Sequence, residues 1–241
     1  MSIAVVTGAG GALGRAIARR LAVDGHAVAV VDIDADAVET TRKDVAAHGG
    51  AVRSWTLDVR DADAVTEMFD MVALQSGGTG ILVNNAAIYP STPFLDITPA
   101  EYDDVQAVNQ RGYWLCAQAA ARQMTGAGGG TIVNVASGGT HGGAGLASCA
   151  ASRAAAWSLT LALARELGPY SIRVNTVSGA SVSAPGEGRG DQGDHRQFEL
   201  HRQTLRRRGT PEDLAAVVSF LAGPDSASVT GQAIEVHGGW R

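Results

Sequence analysis

The sequence has few of the features that mark disulfide-rich, metal-binding or membrane proteins. Only two cysteines, Cys116 and Cys149, occur among the 241 residues, and they lie far apart without metal-ligand spacing. Neither a disulfide framework nor a metal site is therefore predicted. No apolar run is long enough to span a bilayer, and the first apolar strand begins at residue 3, which leaves no room for a signal peptide. We expect a cytoplasmic protein.

An excess of charge of one sign is also missing. The formal net charge is −5, acidic and basic residues are interspersed, and the one basic cluster covers only residues 206–208. Neither a nucleic acid nor a membrane surface is expected as a partner. The chain contains no linker and no internal repeat, and 45% of its residues are hydrophobic. These features predict one globular domain over residues 1–241 with a sizeable core.

The N-terminal stretch carries the pattern of a strand, a tight turn and a helix. Residues 3–7 are apolar, residues 8–14 are rich in glycine, and apolar residues then recur at helical spacing. Glycines let the backbone approach a ligand closely, and the free N–H groups at the start of a helix favour an anion. The pattern is consistent with a seat for a dinucleotide pyrophosphate. By itself it is also compatible with a plain tight turn.

The second apolar strand, residues 27–31, ends in an acidic residue. Asp32 lies about 20 residues beyond the glycine turn, where a carboxylate can accept hydrogen bonds from both hydroxyls of the adenosine ribose. This placement favours NAD over NADP, because a 2′-phosphate would meet a like charge and neither Gly11 nor Ile33 supplies a basic side chain. The alternative is that Asp32 only caps the following helix.

Apolar strands and helices continue to alternate along the chain. Further strands are predicted over residues 52–57, 81–83, 131–135, 172–177 and 232–236. Right-handed crossovers make such a sheet parallel, with helices on both faces and ligands bound outside the carboxyl ends of the strands. Residues 183–197 are polar and glycine-rich, so the segment 179–208 is predicted to be a loop and helix that cover the substrate.

These motifs, in this order, resemble the short-chain dehydrogenase/reductase family over nearly the whole chain. The matches include Thr7-Gly8 with Leu13-Gly14, Asp32, Asp58-Val59, Asn84-Asn85-Ala86, Asn109, Ser137, Arg173-Val174-Asn175 and the ending Val229-Thr230-Gly231-Gln232 through Gly238-Gly239.

The resemblance implies an α/β fold, a doubly wound Rossmann-type domain with a seven-stranded parallel sheet in the order 3-2-1-4-5-6-7. It also implies a small-molecule substrate, an NAD cofactor, and a homodimer or homotetramer formed through the helix over residues 146–167 and the long helix that precedes it. The implied cofactor contacts are Gly8, Gly11, Leu13, Gly14, Asp32, Ile33, Asp58, Val59, Asn85, Ala86, Arg153 and Val182.

The sequence departs from the family at the catalytic positions. The family's Tyr-x-Ala-Ser-Lys pattern falls on Cys149-Ala150-Ala151-Ser152-Arg153, so both the tyrosine and the lysine are absent. Cys149 lacks the reach of a tyrosine. Arg153 keeps the positive charge and can hold ribose hydroxyls, but a guanidinium does not release a proton. The resemblance leaves Ser137 to bind the substrate oxygen and Asn109 to steady a water. The alternative interpretation is structural, with Cys149 as a small apolar filler and Arg153 as a surface or interface residue.

The source of the catalytic proton therefore remains open. Tyr89, which follows the fourth strand, and His141, four residues after Ser137, are both candidates. A third possibility is that the substrate protonates itself through an adjacent phenol or enol, so that the protein needs only to position it.

Three functional classes follow from these observations. The first is an NAD(H)-dependent oxidoreductase acting on a carbonyl or alcohol of a small, specialised metabolite. The second is a non-redox cyclase, lyase or dehydratase that reuses the fold. The third is a catalytically silent NAD-binding subunit.

Overall fold

The computed structural model describes residues 3–137, 144–179 and 203–239, with the side chain of Ser137 excluded. His141, Val182 and most of the segment 179–208 lie outside the described residues. Seven strands form one parallel sheet in the order β3-β2-β1-β4-β5-β6-β7, which confirms the predicted order. The strands are β1 (Ile3–Thr7), β2 (Ala27–Asp32), β3 (Val52–Thr56), β4 (Thr79–Asn84), β5 (Gly130–Ser137), β6 (Ile172–Gly179) and β7 (Ala233–Val236).

Helices cover both faces of this sheet. In the described part of the chain they are α1 (Ala12–Val23), α2 (Ala35–Ala47), α3 (Ala62–Ser76), α4 (Pro99–Gln106), α5 (Tyr113–Ala127), α6 (Ala147–Leu167) and α7 (Pro211–Ala222). A π-helical segment, Ala107–Gly112, joins α4 to α5. Short 3-10 turns lie at Phe94–Asp96, Gly168–Tyr170 and Pro224–Ser226.

The core lies in two layers, one on each side of the sheet. Successive strand residues point to opposite faces, so Val5 of β1 packs in the layer beneath α3 and α5, whereas Val6 packs in the layer beneath α1, α2 and α7. The interior of β1 is entirely buried. Burial on both faces is the reason that these strands appear in the sequence as continuous apolar runs rather than as alternating ones.

The helix that follows the loop after β4 begins at a threonine cap. Thr98 Oγ1 accepts a hydrogen bond from Glu101 N at 3.1 Å, which is one of the two bonds of a capping box. The Glu101 carboxylate instead accepts a hydrogen bond from the Thr92 hydroxyl at 3.0 Å. This contact fastens the loop after β4 to the start of α4.

A buried polar chain holds α6 against the sheet. Asn84 donates to Asn134 Oδ1 at 2.9 Å, and Asn134 donates to Thr160 Oγ1 at 2.8 Å. Thr160 Oγ1 lies a further 2.8 Å from Thr176 Oγ1 on β6. Because buried polar groups are costly unless they are hydrogen-bonded, this chain favours one register of α6 on β4, β5 and β6.

Two further observations concern membrane spanning and metal binding. None of the helices in the described ranges combines the length and apolar composition that a bilayer crossing requires. Within the same ranges, no group of three histidine, cysteine or acidic residues is arranged to bind a metal ion. Cys116 and Cys149 are both buried as free thiols, and burial raises the pKa of Cys116 to about 12.

Candidate active site

The glycine turn between β1 and α1 is shaped by very close backbone contacts. Gly8 has a φ of +64°, and a Cβ there would lie 2.6 Å from the Cα of Ala86. A Cβ on Gly14 would lie 2.2 Å from the carbonyl oxygen of Gly8. Gly11 precedes α1 without a side-chain cap from any described residue. The N–H groups of the first turn therefore remain available for an anion.

Thr7 and Asn85 join this turn to the end of β4. Thr7 Oγ1 accepts hydrogen bonds from Asn85 N at 3.0 Å and from Ala86 N at 3.1 Å. The Asn85 side-chain amide donates to Thr7 O at 3.1 Å and to Gly8 O at 3.0 Å. We call these four bonds the Thr7–Asn85 clamp. It fixes the glycine turn relative to the loop that leads to Tyr89.

Asp32 stands at the carboxyl end of β2 and faces the glycine turn. Its Oδ2 accepts from Gly10 N at 2.8 Å and its Oδ1 from Asp34 N at 3.0 Å. A Cβ on Gly10 would lie 2.9 Å from Asp32 Oδ2, which explains the glycine there. An ionised carboxylate has about four acceptor sites, so two of them remain for further donors. The next side chain, Ile33, is 63% exposed.

Asp58 and Val59 follow β3 on the same edge of the sheet. The Asp58 carboxylate is paired with the Arg60 guanidinium at 2.6 Å. The hydrogen bond from the Arg60 side chain lowers the pKa of Asp58 below its ordinary value. Val59 is buried against Gly112, where a Cβ would lie 2.8 Å from Val59 Cγ2.

Asn109 lies in the π-helical segment, a conformation that is frequent at functional sites. Its Oδ1 accepts from Ile88 N at 2.9 Å, and its Nδ2 donates to Ile88 O at 3.0 Å and to Ser152 Oγ at 3.2 Å. The Ser152 hydroxyl in turn donates to Cys149 O at 2.8 Å. Asn109 thus connects the loop after β4 with α6.

Arg153 and Tyr89 are stacked on one another. Arg153 is only 8% exposed, and its Cζ lies 5.3 Å from the centroid of the Tyr89 ring. Burial lowers the pKa of Arg153 from its ordinary value, yet an arginine remains protonated at neutral pH. Tyr89, Asn109, Tyr113, Ser152 and Arg153 line one small cavity.

The Cys149 thiol and the Tyr113 hydroxyl each lie against a backbone carbonyl. Cys149 is fully buried, and its thiol lies 3.7 Å from Pro90 O. The Tyr113 hydroxyl donates to Val135 O at 2.7 Å, and burial raises the pKa of Tyr113 well above its ordinary value.

Almost the whole chain matches one known protein family. The sequence profile described as enoyl-(acyl carrier protein) reductase matches residues 8–241. The chain belongs to the short-chain dehydrogenase/reductase family.

Relatives within this family match the chain over almost its full length. It is 36% identical to the short-chain reductase protein NovJ of Streptomyces niveus, over 99% of this chain and 93% of that protein. It is also 36% identical to BbsD of Thauera aromatica, a subunit of a hydroxy(phenyl)methylsuccinyl-CoA dehydrogenase, over 98% of this chain and 95% of that protein. A crystal structure of NAD⁺-bound xylitol dehydrogenase aligns with a TM-score of 0.92 and 31% identity, covering 99% of this chain and 98% of that chain.

The short-chain dehydrogenase/reductase fold gathers only part of the predicted site in the described residues. Tyr89, Asn109 and Arg153 meet at one cavity, whereas Cys149 packs beside Pro90. Ser137 ends β5, where its backbone pairs with Gly179 of β6. His141 and Val182 fall outside the described ranges.

Sequence reasoning missed the positioning contacts of this site. The sequence motifs include Thr7 and Asn85 only as parts of a cofactor site, and they indicate no role for Ser152 or Arg60. A threonine between an apolar strand and a glycine, and an arginine two residues after Asp58, were the available signals.

Replacing Thr7 with valine should weaken the Thr7–Asn85 clamp measurably. The substitution keeps the side-chain shape but removes the acceptor of two backbone N–H groups. Since a buried donor left without a partner costs 1–3 kcal/mol, we expect the free energy of unfolding in urea to fall by about 2 kcal/mol. Thr66→Val is the control, because the hydroxyl of exposed Thr66 has Ala62 O within α3 as its one hydrogen-bond partner in the described part of the chain. Equal losses in the two variants would contradict the clamp.

Proposed function

We propose that this protein is an NAD(H)-dependent oxidoreductase that acts on the carbonyl or alcohol group of a small, specialised metabolite. The observation that carries the proposal is the uncapped start of α1. The glycine turn before it is joined to Asp32 by the Gly10 N–H and to the loop after β4 by the Thr7–Asn85 clamp. The likeness to an NAD⁺-bound xylitol dehydrogenase supports it. When bound, the cofactor would supply or accept a hydride.

The residues present fit a dinucleotide along the carboxyl edge of the sheet. Backbone N–H groups around Gly11 and Leu13 would bind the pyrophosphate, since the glycines bring the backbone close and no described side chain caps that helix. Asp32 would accept hydrogen bonds from the adenosine ribose, and Asp58 would accept a hydrogen bond from the adenine. Arg153 would hold the nicotinamide ribose through its fixed charge.

The same geometry favours NAD over NADP. The Asp32 carboxylate would repel a 2′-phosphate, and exposed Ile33 offers it no donor. Arg15 of α1 donates to Gly10 O at 3.2 Å and to Thr41 Oγ1 at 3.1 Å, and these contacts engage its guanidinium at the junction of α1 and α2.

The acid/base group of this proposal is Tyr89. Its ring borders the cavity that Asn109 and Ser152 also line, and the Arg153 guanidinium above it would stabilise negative charge on the phenol oxygen. Tyr113 is unsuited because its proton is held by Val135 O. Cys149 would serve as packing, because its thiol is buried next to Pro90. Ser137 would bind the substrate oxygen.

A catalytically silent subunit is the second candidate function. Cysteine and arginine occupy the positions of the family's tyrosine and lysine, and the described structure turns the Cys149 thiol toward a backbone carbonyl. BbsD, a relative, is itself named as a subunit of a dehydrogenase. In such a role the chain would bind NAD and support an active partner chain.

Cofactor choice can be tested by changing the charge at the end of β2. Calorimetry should show that the wild-type protein binds NAD at least about tenfold more tightly than NADP. The double variant Asp32→Asn, Ile33→Arg should reverse this order, because it removes the like charge and adds a donor for the 2′-phosphate. The control is Asp225→Asn with Val23→Arg, an equal charge change at exposed positions away from the carboxyl edge. No binding of either nucleotide by the wild type refutes the proposal.

Turnover separates an oxidoreductase from a silent subunit. When a panel of ketones and aldehydes is tested, the amount of NADH consumed should equal the amount of alcohol formed. Tyr89→Phe should lower kcat by about 100-fold with an unchanged Kd for NAD, as expected for loss of a general acid. The control substitution Tyr170→Phe, at an exposed position, should change neither kcat nor the Kd for NAD. An unchanged kcat in Tyr89→Phe would indicate substrate-assisted proton transfer. Binding of NAD without turnover would favour the silent subunit, and turnover without nucleotide a non-redox enzyme.

We also propose that the chain forms a homodimer or homotetramer through the face shared by α4, the π-helical segment, α5 and α6. A groove of about 570 Å³ lies on this face and is lined by residues that include Arg111, Trp114 and Leu159. Trp114 is 43% exposed, and exposed Ala154 and Ala162 on α6 would let a second helix approach closely.

Self-association can be measured by sedimentation at micromolar concentration. Trp114→Glu should convert an oligomer into a monomer, because it replaces a large, partly exposed aromatic side chain of the groove with a charged one. Leu74→Glu adds the same charge on α3, where Leu74 is 81% exposed, and should leave the oligomer intact. A monomeric wild-type protein would refute this part of the proposal.

A further inference from the structure

Helix α2 contacts the glycine turn through one buried threonine. Thr41 is completely buried, and its Oγ1 lies 2.8 Å from Ala9 O and 3.2 Å from Ala37 O. A hydroxyl has a single proton to donate, and the shorter distance assigns that proton to Ala9 O. The bond to Ala9 spans 32 residues of sequence. It therefore joins α2 to the turn rather than satisfying α2 alone.

Arg15 connects the same hydroxyl to the next residue of the turn. Its Nε donates to Thr41 Oγ1 at 3.1 Å, and its Nη2 donates to Gly10 O at 3.2 Å. The guanidinium thus bridges α2 and the turn, while Thr41 accepts from Arg15 and donates to Ala9. We call these three bonds the Arg15–Thr41 brace.

The brace sets the direction of two successive peptide groups. In a planar trans peptide the carbonyl oxygen and the following N–H point in opposite directions, and no described peptide bond is cis. Ala9 O faces Thr41, and the N–H of Gly10 is accordingly directed onto Asp32 Oδ2 at 2.8 Å. By the same rule, the contact of Gly10 O with Arg15 directs the N–H of Gly11 away from that guanidinium.

Two successive glycines would otherwise leave this part of the turn loose. Glycine has a wider choice of backbone conformations than any other residue, and it loses more conformational freedom when it is ordered. Gly11 is also exposed and immediately precedes α1. An N–H that is already oriented binds an anion more tightly than a mobile one, because less freedom is lost on binding.

We propose that Thr41 and Arg15 are positioning residues for phosphate binding, which hold the peptide groups of the glycine turn so that the Gly11 N–H is oriented for a phosphate before any ligand binds. The inference rests on the proposed function, in which a dinucleotide pyrophosphate lies at the start of α1. Helix α2 thereby contributes to nucleotide affinity through a residue that lies outside the glycine turn.

Displacement of bound NADH, followed by its fluorescence, tests this inference with ADP and adenosine as competitors. ADP carries two phosphates and adenosine carries none, so the ratio of their affinities reports on phosphate binding. Thr41→Val keeps the side-chain shape but removes the hydroxyl. It should lower the affinity for ADP about fivefold, the loss expected for one hydrogen bond, and that for adenosine less than about twofold. Thr41→Ser keeps the hydroxyl and should restore most of the ratio.

Arg15 provides a second variant at a partly exposed position. Arg15→Gln should lower the affinity for ADP about tenfold, because it removes the bridge between Thr41 and Gly10 O together with a positive charge. Arg15→Lys keeps the charge, but an ammonium lacks the planar fork that reaches both partners. Its affinity for ADP should lie between those of the wild type and Arg15→Gln. If Thr41→Val does not fold, the two Arg15 variants decide the question.

The chain offers a matched control for each substitution. Thr40→Val changes the neighbouring position of α2, where the exposed hydroxyl donates to Asp36 O within the same helix. Arg19→Gln removes an equal charge one turn further along α1, where Arg19 pairs with exposed Glu212. Both controls should keep the wild-type ratio of ADP to adenosine affinity.

The outcomes separate the positioning role from the function on which it rests. If the wild type binds NADH and ADP, and the Thr41 and Arg15 variants keep the full ratio, the positioning role is wrong and the proposed function stands. A parallel loss of ADP and adenosine affinity would also overturn it, since the damage would then be to the fold in general. A loss in Arg15→Gln that Arg15→Lys fully restores would indicate charge alone and contradict the brace. If the wild type binds no dinucleotide, the proposed function fails and the inference fails with it.

Discussion

The hydrogen bonds between the ends of β1 and β4 are the constraint on which the rest of this edge depends. Through the Thr7–Asn85 clamp, one hydroxyl and one side-chain amide satisfy backbone groups on two neighbouring strands. The glycine turn can then approach Ala86 so closely that Gly8 has no room for a Cβ. The start of α1, the Asp32 carboxylate and the loop that carries Tyr89 are consequently held in fixed relation, although they are distant in sequence.

A second set of contacts extends this order to the cavity around Arg153. Asn109 binds the backbone of Ile88 and the hydroxyl of Ser152, so that the loop after β4, the π-helical segment and α6 meet at one side chain. The clamped edge and the cavity around Arg153 are therefore joined through the loop after β4.

A parallel sheet and the position of Asp32 can be predicted from local patterns and general rules, whereas the strand order is implied only by the resemblance to the family. Continuous apolar runs and right-handed crossovers leave few topologies, and Asp32 is the last residue of its strand. The partners of Asn109 could not be predicted, since they lie 21 and 43 residues away and depend on how the π-helical segment packs. The stacking of Arg153 on Tyr89 also depends on packing between a loop and α6. Similarly, the burial of Cys149 beside Pro90 is set by tertiary contacts that no periodicity reveals.

A crystal structure of the protein grown with NAD tests the central claim most directly. The claim is that the edge held by the Thr7–Asn85 clamp binds a dinucleotide and that Tyr89, rather than residue 149, supplies the acid/base group. The account predicts a pyrophosphate at the start of α1, ribose hydroxyls on Asp32, and the nicotinamide ribose beside Arg153 with Tyr89 as the nearest titratable side chain. A dinucleotide bound elsewhere, or none bound at saturating NAD, would contradict it.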